Sequence, residues 1–167
     1  MESKVALILP TSVVSQVDVA RVMRELTALS DFFISTQARP PGSNIQPPRL
    51  SRSLDQLAQA NKVNLLEEAQ RRQLYNELNE VLGRAPLIHM SFASEASPKA
   101  LDKIIAWLRS NIHPQTLLQV GLQPTIAAGC MVRTTNQVFD LSLRTHLRAQ
   151  EPYLTQLIAS SAASQPK

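Results

Sequence analysis

Residues 122–147 read LQPTIAAGCMVRTTNQVFDLSLRTHL. Within them, Cys130 to Thr134 and Val138 to Asp140 are two short extended runs on either side of Thr135-Asn136, which predicts a β-hairpin. Pro124 closes the strand that comes before. Gly129 allows a backbone conformation or a close approach that a side chain would block. Asp140 and Ser142 place oxygens where they can satisfy the free N–H groups that open a final helix, running to about Ile158, with Pro152 kinking or restarting it. Arg133 and Asp140 end the opposed strands and could pair across them.

Going outward, Thr116 to Leu122 reads as a strand with Leu118, Val120 and Leu122 on its core side. Ala100 to Asn111 carries Leu101, Ile104, Ile105 and Leu108 at i, i+3, i+4 and i+7, a helix packed on a sheet. Pro98 suits its first turn. Leu87 to Ala93 alternates, with Ile88, Met90 and Phe92 on one side and His89 and Ser91 on the other, so it predicts a strand with one buried face. From residue 87 the order is β-α-β-β-α.

The first half reads as helix. Val13 to Phe33 spaces Val19, Val22, Met23, Leu26 and Leu29 along one stripe, with Ser15 or Asp18 as cap. Two Pro-Pro pairs break residues 37–50, because proline lacks the donor and clashes with the preceding turn. Helix resumes near Ser53, with Leu54, Leu57 and Ala58 on its apolar side. A turn at Asn61 to Asn64 follows, then a helix from Leu65 to Leu82 with Leu66, Ala69, Leu74, Leu78 and Val81 inward and Gly83 as its cap. The fold class is α+β: a helical domain over 1–85, a small β-α-β-β-α domain over 86–160, and a disordered tail over 161–167.

Composition limits the function classes. The chain has 167 residues, 44% of them hydrophobic but only 4% aromatic, so its core rests on Leu, Ile, Val, Ala and Met. The net charge of +4 is spread over scattered arginines with no charge run and no neighbouring aromatics, which reads as solvated surface rather than a nucleic-acid site. One cysteine permits no internal disulfide. No apolar stretch nears the roughly 18 residues that cross a bilayer, so a soluble, cytosolic protein is expected.

Catalytic constellations are missing. The four glycines are dispersed, without a phosphate-binding loop. His89, His113 and His146 with Cys130 lack metal-site spacing, so no metal or cofactor is expected. Cys130 with His146, assisted by Asp140, is the best nucleophilic arrangement, but the apolar setting of Cys130 points to an inert thiol. Glu67-Glu68 reads as surface charge.

The 122–147 stretch resembles the signature of the delta/OSCP family of F-type ATP synthases. Pro124, Gly129, Arg133, Asp140, Ser142, Arg144 and Leu147 stand where that pattern expects them. Gln123 replaces an acid, Thr125 a serine, Ala128 a glycine and Cys130 an aromatic. Leu54 to Ala93 is similar to the family's last two bundle helices and the entry to its C-terminal strand. The front departs from the family, whose N-terminal bundle has six helices, so a shortened bundle is expected. The resemblance implies a non-catalytic stator subunit that binds the N-terminal segments of the alpha subunits and the b-type stalk helices. It implies a peripheral position at the cytoplasmic face of the plasma membrane, reached through the complex, with no nucleic acid bound. Candidate head-facing residues are Leu26, Leu29 and Phe33, and candidate stalk-facing residues are Leu147, Leu154 and Ile158. The competing readings are a small basic RNA- or ribosome-associated adaptor, favoured by a pI of about 9.6, a Cys-His hydrolase or transferase, and a V-type stator subunit.

Overall fold

The computed structural model describes residues 7–37, 46–126 and 128–163. Helices α1 (Gln16–Gln37), α2 (Arg52–Ala60) and α3 (Glu68–Arg84) come first. Strand β1 (Leu87–Phe92), helix α4 (Pro98–Asn111) and strand β2 (Leu117–Leu122) follow. A 3-10 turn over Pro124–Ile126 leads to β3 (Gly129–Arg133), β4 (Val138–Ser142) and α5 (Leu143–Ala163). The class is α+β, and from residue 87 the order is β-α-β-β-β-α, one strand more than expected because both hairpin strands join the sheet after β2. The Pro-rich segment lies outside the described residues at 38–45, and residues 46–50 have no regular structure. The tail expected over 161–167 is helical through Ala163, and its remainder lies outside the described residues.

Local chemistry sets the helix ends. Ser15 and Asp18 cap α1 reciprocally: the Asp18 N–H donates to Ser15 Oγ at 3.2 Å, and the Ser15 N–H donates to Asp18 Oδ2 at 2.9 Å. Ser51 caps α2 by accepting from the Leu54 N–H at 3.2 Å, so the helix opens one residue ahead of Ser53. Gly83 lies inside α3 and is not its cap; the helix ends at Ala85, because Pro86 cannot continue it. Ser97 caps α4 ahead of Pro98 at the first helical position.

The chain divides into two compact units, Met1–Leu87 with Ser97–Gln119, and Ile88–Ala96 with Val120–Lys167. The core of the first joins Val19, Val22 and Leu26 of α1, Leu54 and Leu57 of α2, and Leu74, Leu78 and Val81 of α3. Leu7, Leu9, Val13 and Leu117 pack into the same cluster. Each such side chain contributes roughly 1.5–3 kcal/mol by leaving water. Leu66 and Ala69 are exposed instead, since α3 starts three residues later than the apolar pattern suggested and leaves Leu66 in the preceding turn.

An irregular segment over 7–14 is fixed by side chains. Asn61 accepts from the Ile8 N–H at 2.8 Å and donates to the Ile8 carbonyl at 2.9 Å. The Leu118 N–H donates to the Val14 carbonyl at 2.9 Å. Arg109 on α4 donates from Nη1 to the carbonyls of Leu9 and Pro10 at 2.8 Å each, from Nη2 to Val13 at 2.6 Å, and from Nε to Thr116 at 3.2 Å. Burial alone pulls the Arg109 pKa down to about 10. The four carbonyl oxygens act in the opposite sense, and the group is a cation at neutral pH either way.

The four strands form one sheet in the order β2-β1-β3-β4. β3 runs antiparallel to both β1 and β4. The Leu117 N–H bonds the Pro86 carbonyl and the Gln123 N–H bonds the Phe92 carbonyl, so β2 runs parallel to β1, as a strand reached through a helix does. Ile88 and Met90 are buried while His89 is exposed, in the predicted alternation. β2 breaks its predicted alternation: Leu117 and Leu118 are both buried, whereas Val120 and Leu122 are 42% and 65% exposed. The first two belong to the N-terminal unit and the last two to the second unit, where they are open to solvent.

Candidate functional site

The hairpin signature is built around a backbone crossing. Gly129 has φ +92°, and a Cβ there would collide with the Leu141 carbonyl oxygen and stand 3.1 Å from Ser142 Cα. Its partner in the ladder is Ser142. Pro124 opens the 3-10 turn whose Ile126 is buried, and the Ala128 carbonyl accepts from the Leu143 N–H at 2.8 Å. These bonds pin the start of α5 to the strand entering the hairpin.

Asp140 and Ser142 complete that start. The Asp140 carboxylate accepts from the Ser142 N–H at 2.9 Å and from Thr145 Oγ1 at 2.7 Å. Ser142 Oγ accepts from the Thr145 N–H at 3.4 Å. The Ser142 hydroxyl first, then the Thr145 hydroxyl and the Ser142 backbone N–H, hold the Asp140 carboxyl below its usual range. A carboxylate whose pKa is depressed on folding stabilises above the ordinary carboxylate range, and that stabilisation is lost as pH falls through the folded value. Thermal unfolding is therefore expected to show acid destabilisation below about pH 4 that is weaker in Asp140→Asn. Equal acid sensitivity of the two proteins would assign the cap's pH response to other groups.

Arg133 and Asp140 are not opposite each other. Arg133 faces Val138 and Asp140 faces Met131, so the hairpin register separates the two charges that sequence spacing paired. Arg133 instead points its Nη2 toward the Met131 sulfur at 3.5 Å. Arg144 is exposed at the start of α5 and adds a small favourable charge near Asp140.

Cys130 is half-buried, and burial pushes its thiol pKa up, opposite to what a nucleophile needs. His146 lies exposed on α5. His113 Nδ1 accepts from the Gln115 N–H at 3.1 Å, a local turn contact. Among the described residues, no group of three His, Cys, Asp or Glu is placed to hold a metal ion.

The candidate interface residues separate by burial. Leu26 and Leu29 are buried, at 1% and 5% exposure. Phe33 is half-buried, with the Arg71 guanidinium 4.6 Å from its ring centre. Leu147, Leu154 and Ile158 are exposed, at 52%, 44% and 69%. Around them the structure adds Leu143 and Leu157 of α5 and Phe139 and Leu141 of β4, all exposed apolar side chains that the sequence left unassigned. Their signal was present as a continuous stripe, but a stripe alone does not distinguish core from interface.

Arg71 and Arg109 were also missed. Arg71 is buried, donating to Ser30 Oγ at 3.2 Å and to the Leu65 carbonyl at 2.9 Å. Arg109 directly follows Leu108 on the buried side of α4, and a charge beside an apolar stripe was the available cue.

The ATP synthase delta (OSCP) subunit family model matches residues 43–154, from ahead of α2 to the middle of α5. A search of curated proteins found no match to the chain. The matched span contains the Gly129 crossing and the Asp140–Ser142 cap and covers more than half of the 167 residues. No helix among the described residues is long and apolar enough to cross a membrane. The chain belongs to the ATP synthase delta (OSCP) subunit family, whose members are peripheral-stalk subunits of that complex.

Proposed function

We infer that this chain is a non-catalytic stator linker whose α5 and β4 receive b-type stalk helices, while its N-terminal helical unit holds alpha-subunit N-terminal segments. The observation that carries the reading is the uncovered state of α5. Every residue from Leu143 to Ser160 is exposed, including Leu147, Leu154 and Ile158. An apolar stripe on a bare helix loses water contact only when another surface covers it. Val138, Phe139 and Leu141 extend apolar exposure onto the strand that leads into it.

Because Leu26 and Leu29 are core, the head-facing role passes to what α1 and α3 leave open. A shallow groove between them is lined by Thr27, Ser30, Glu68, Arg71, Arg72 and Tyr75 with the edge of Leu26 at its floor, and Ile34 is 63% exposed at the end of α1. An apolar helix face can lie in such a groove. The complex then holds the chain at the cytoplasmic face of the plasma membrane.

The test mixes the full chain separately with the C-terminal segment of the b-type subunit and the N-terminal segment of the alpha subunit. Micromolar binding to both is expected, with Leu154→Asp weakening only the first, by at least about tenfold. Absence of binding to both would sink the reading.

A further inference from the structure

The apolar side chains of α5 fall in a stricter pattern than amphipathicity requires. Leu143, Leu147, Gln150, Leu154 and Leu157 are spaced 4, 3, 4 and 3, the alternation of a coiled-coil seam. Gln150 is the one polar member, set between Leu147 and Leu154 and exposed like them. Pro152 stands nine residues after Leu143, about 180° round the helix from the seam's first residue. Its lost backbone bond and any bend therefore fall on the outer side, where they leave the seam continuous. At 21 residues the helix is about 31 Å long, enough for a partner to pack along about two turns of seam on either side of Gln150.

We propose that α5 packs against one partner helix as a coiled-coil seam, and that Gln150 sets the register of the pair. The proposal rests on the stator reading above and names the way the stalk is held. A polar side chain inside an apolar seam needs a hydrogen-bonding partner, so only alignments that place one opposite it avoid leaving an amide unsatisfied. The occupant is an acidic amphipathic helix with a polar seam residue of its own. α5 carries Arg144 and Arg148 against the single acid Glu151. Two copies of α5 would gather four arginines against two glutamates, whereas an acid-rich helix complements the arginines.

Register is read directly by cross-linking. In a full-length Cys130→Ser background, Tyr153→Cys at the seam's flank is cross-linked to single cysteines scanned along the C-terminal segment of the b-type subunit. With Gln150 present, one position is expected to dominate. With Gln150→Leu, binding is expected to be as tight or tighter, with added cross-links about seven residues to either side. The same single position in Gln150→Leu would overturn the register role while leaving the stator reading intact. A wild-type chain that sediments as a dimer dispersed by Leu154→Asp would overturn the choice of occupant, making a second copy the partner. A wild-type chain that fails to bind the segment at all would overturn the stator reading and this proposal together.

Discussion

Arg109→Leu is expected to destabilise the unit containing α1, α2 and α3 by about 3–4 kcal/mol. The side chain supplies four hydrogen bonds to carbonyls of Leu9, Pro10, Val13 and Thr116, none of which belongs to a helix or strand ladder. Leucine keeps the apolar stem but leaves those acceptors to find water at a half-buried site. The segment they hold brings Leu7, Leu9 and Val13 into the core, so its release also exposes three buried side chains. Arg109→Lys keeps the charge, but one ammonium cannot reach oxygens spread around a planar guanidinium, and about half of the loss is expected to remain. Chemical denaturation of the variants provides the measurement, and hydrogen exchange locates the effect. Amides of 7–14 should lose protection first. An Arg109→Leu protein within about 1 kcal/mol of wild type would show that the carbonyls rehydrate freely and that apolar contacts alone hold the segment.

The second large effect is expected at Gly129. An L-residue at φ +92° is strained by roughly 1–2 kcal/mol, and its Cβ must also displace the Leu141 carbonyl, which is backbone and cannot swing aside. Gly129→Ala is therefore expected to cost about 3 kcal/mol in the unit formed by β3, β4 and α5. Gly83→Ala is the matched control. Gly83 lies within α3 with nothing inside 4 Å of a built Cβ, so alanine there is expected to stabilise by about 0.5–1 kcal/mol. Opposite signs at the two glycines, read by thermal unfolding, would assign the Gly129 effect to geometry rather than to glycine's chain entropy. Equal signs would refute that assignment.

Most helices and strands were legible because their apolar residues keep a period. The α1 stripe from Val19 to Leu29 is wholly buried, and Thr135-Asn136 sits in the turn between β3 and β4. Failures occurred where tertiary placement overrode period. Alternation in β2 predicted three inward residues, yet adjacent Leu117 and Leu118 are both buried while Val120 and Leu122 are not. One strand serves two environments along its length, and no two-residue period reports that. Arg133 and Asp140 looked like partners because both end strands, but the register offsets their pairing positions by two residues. Leu26 and Leu147 had equal claims as interface on sequence. Only the folded packing separates them, since burial depends on residues distant in the chain.

The bond from Arg109 to Leu9 joins residues 100 positions apart. A nascent chain emerges at roughly 5–20 residues per second, so the guanidinium follows its acceptor by roughly 5–20 seconds. During that interval α1, α2 and α3 can form and collide, but the 7–14 segment, held at Ile8 by Asn61, lacks its guanidinium clamp, and Leu117 has not been made to fill the core. Completion of this unit is therefore delayed by synthesis itself: its first residues are among the last to settle.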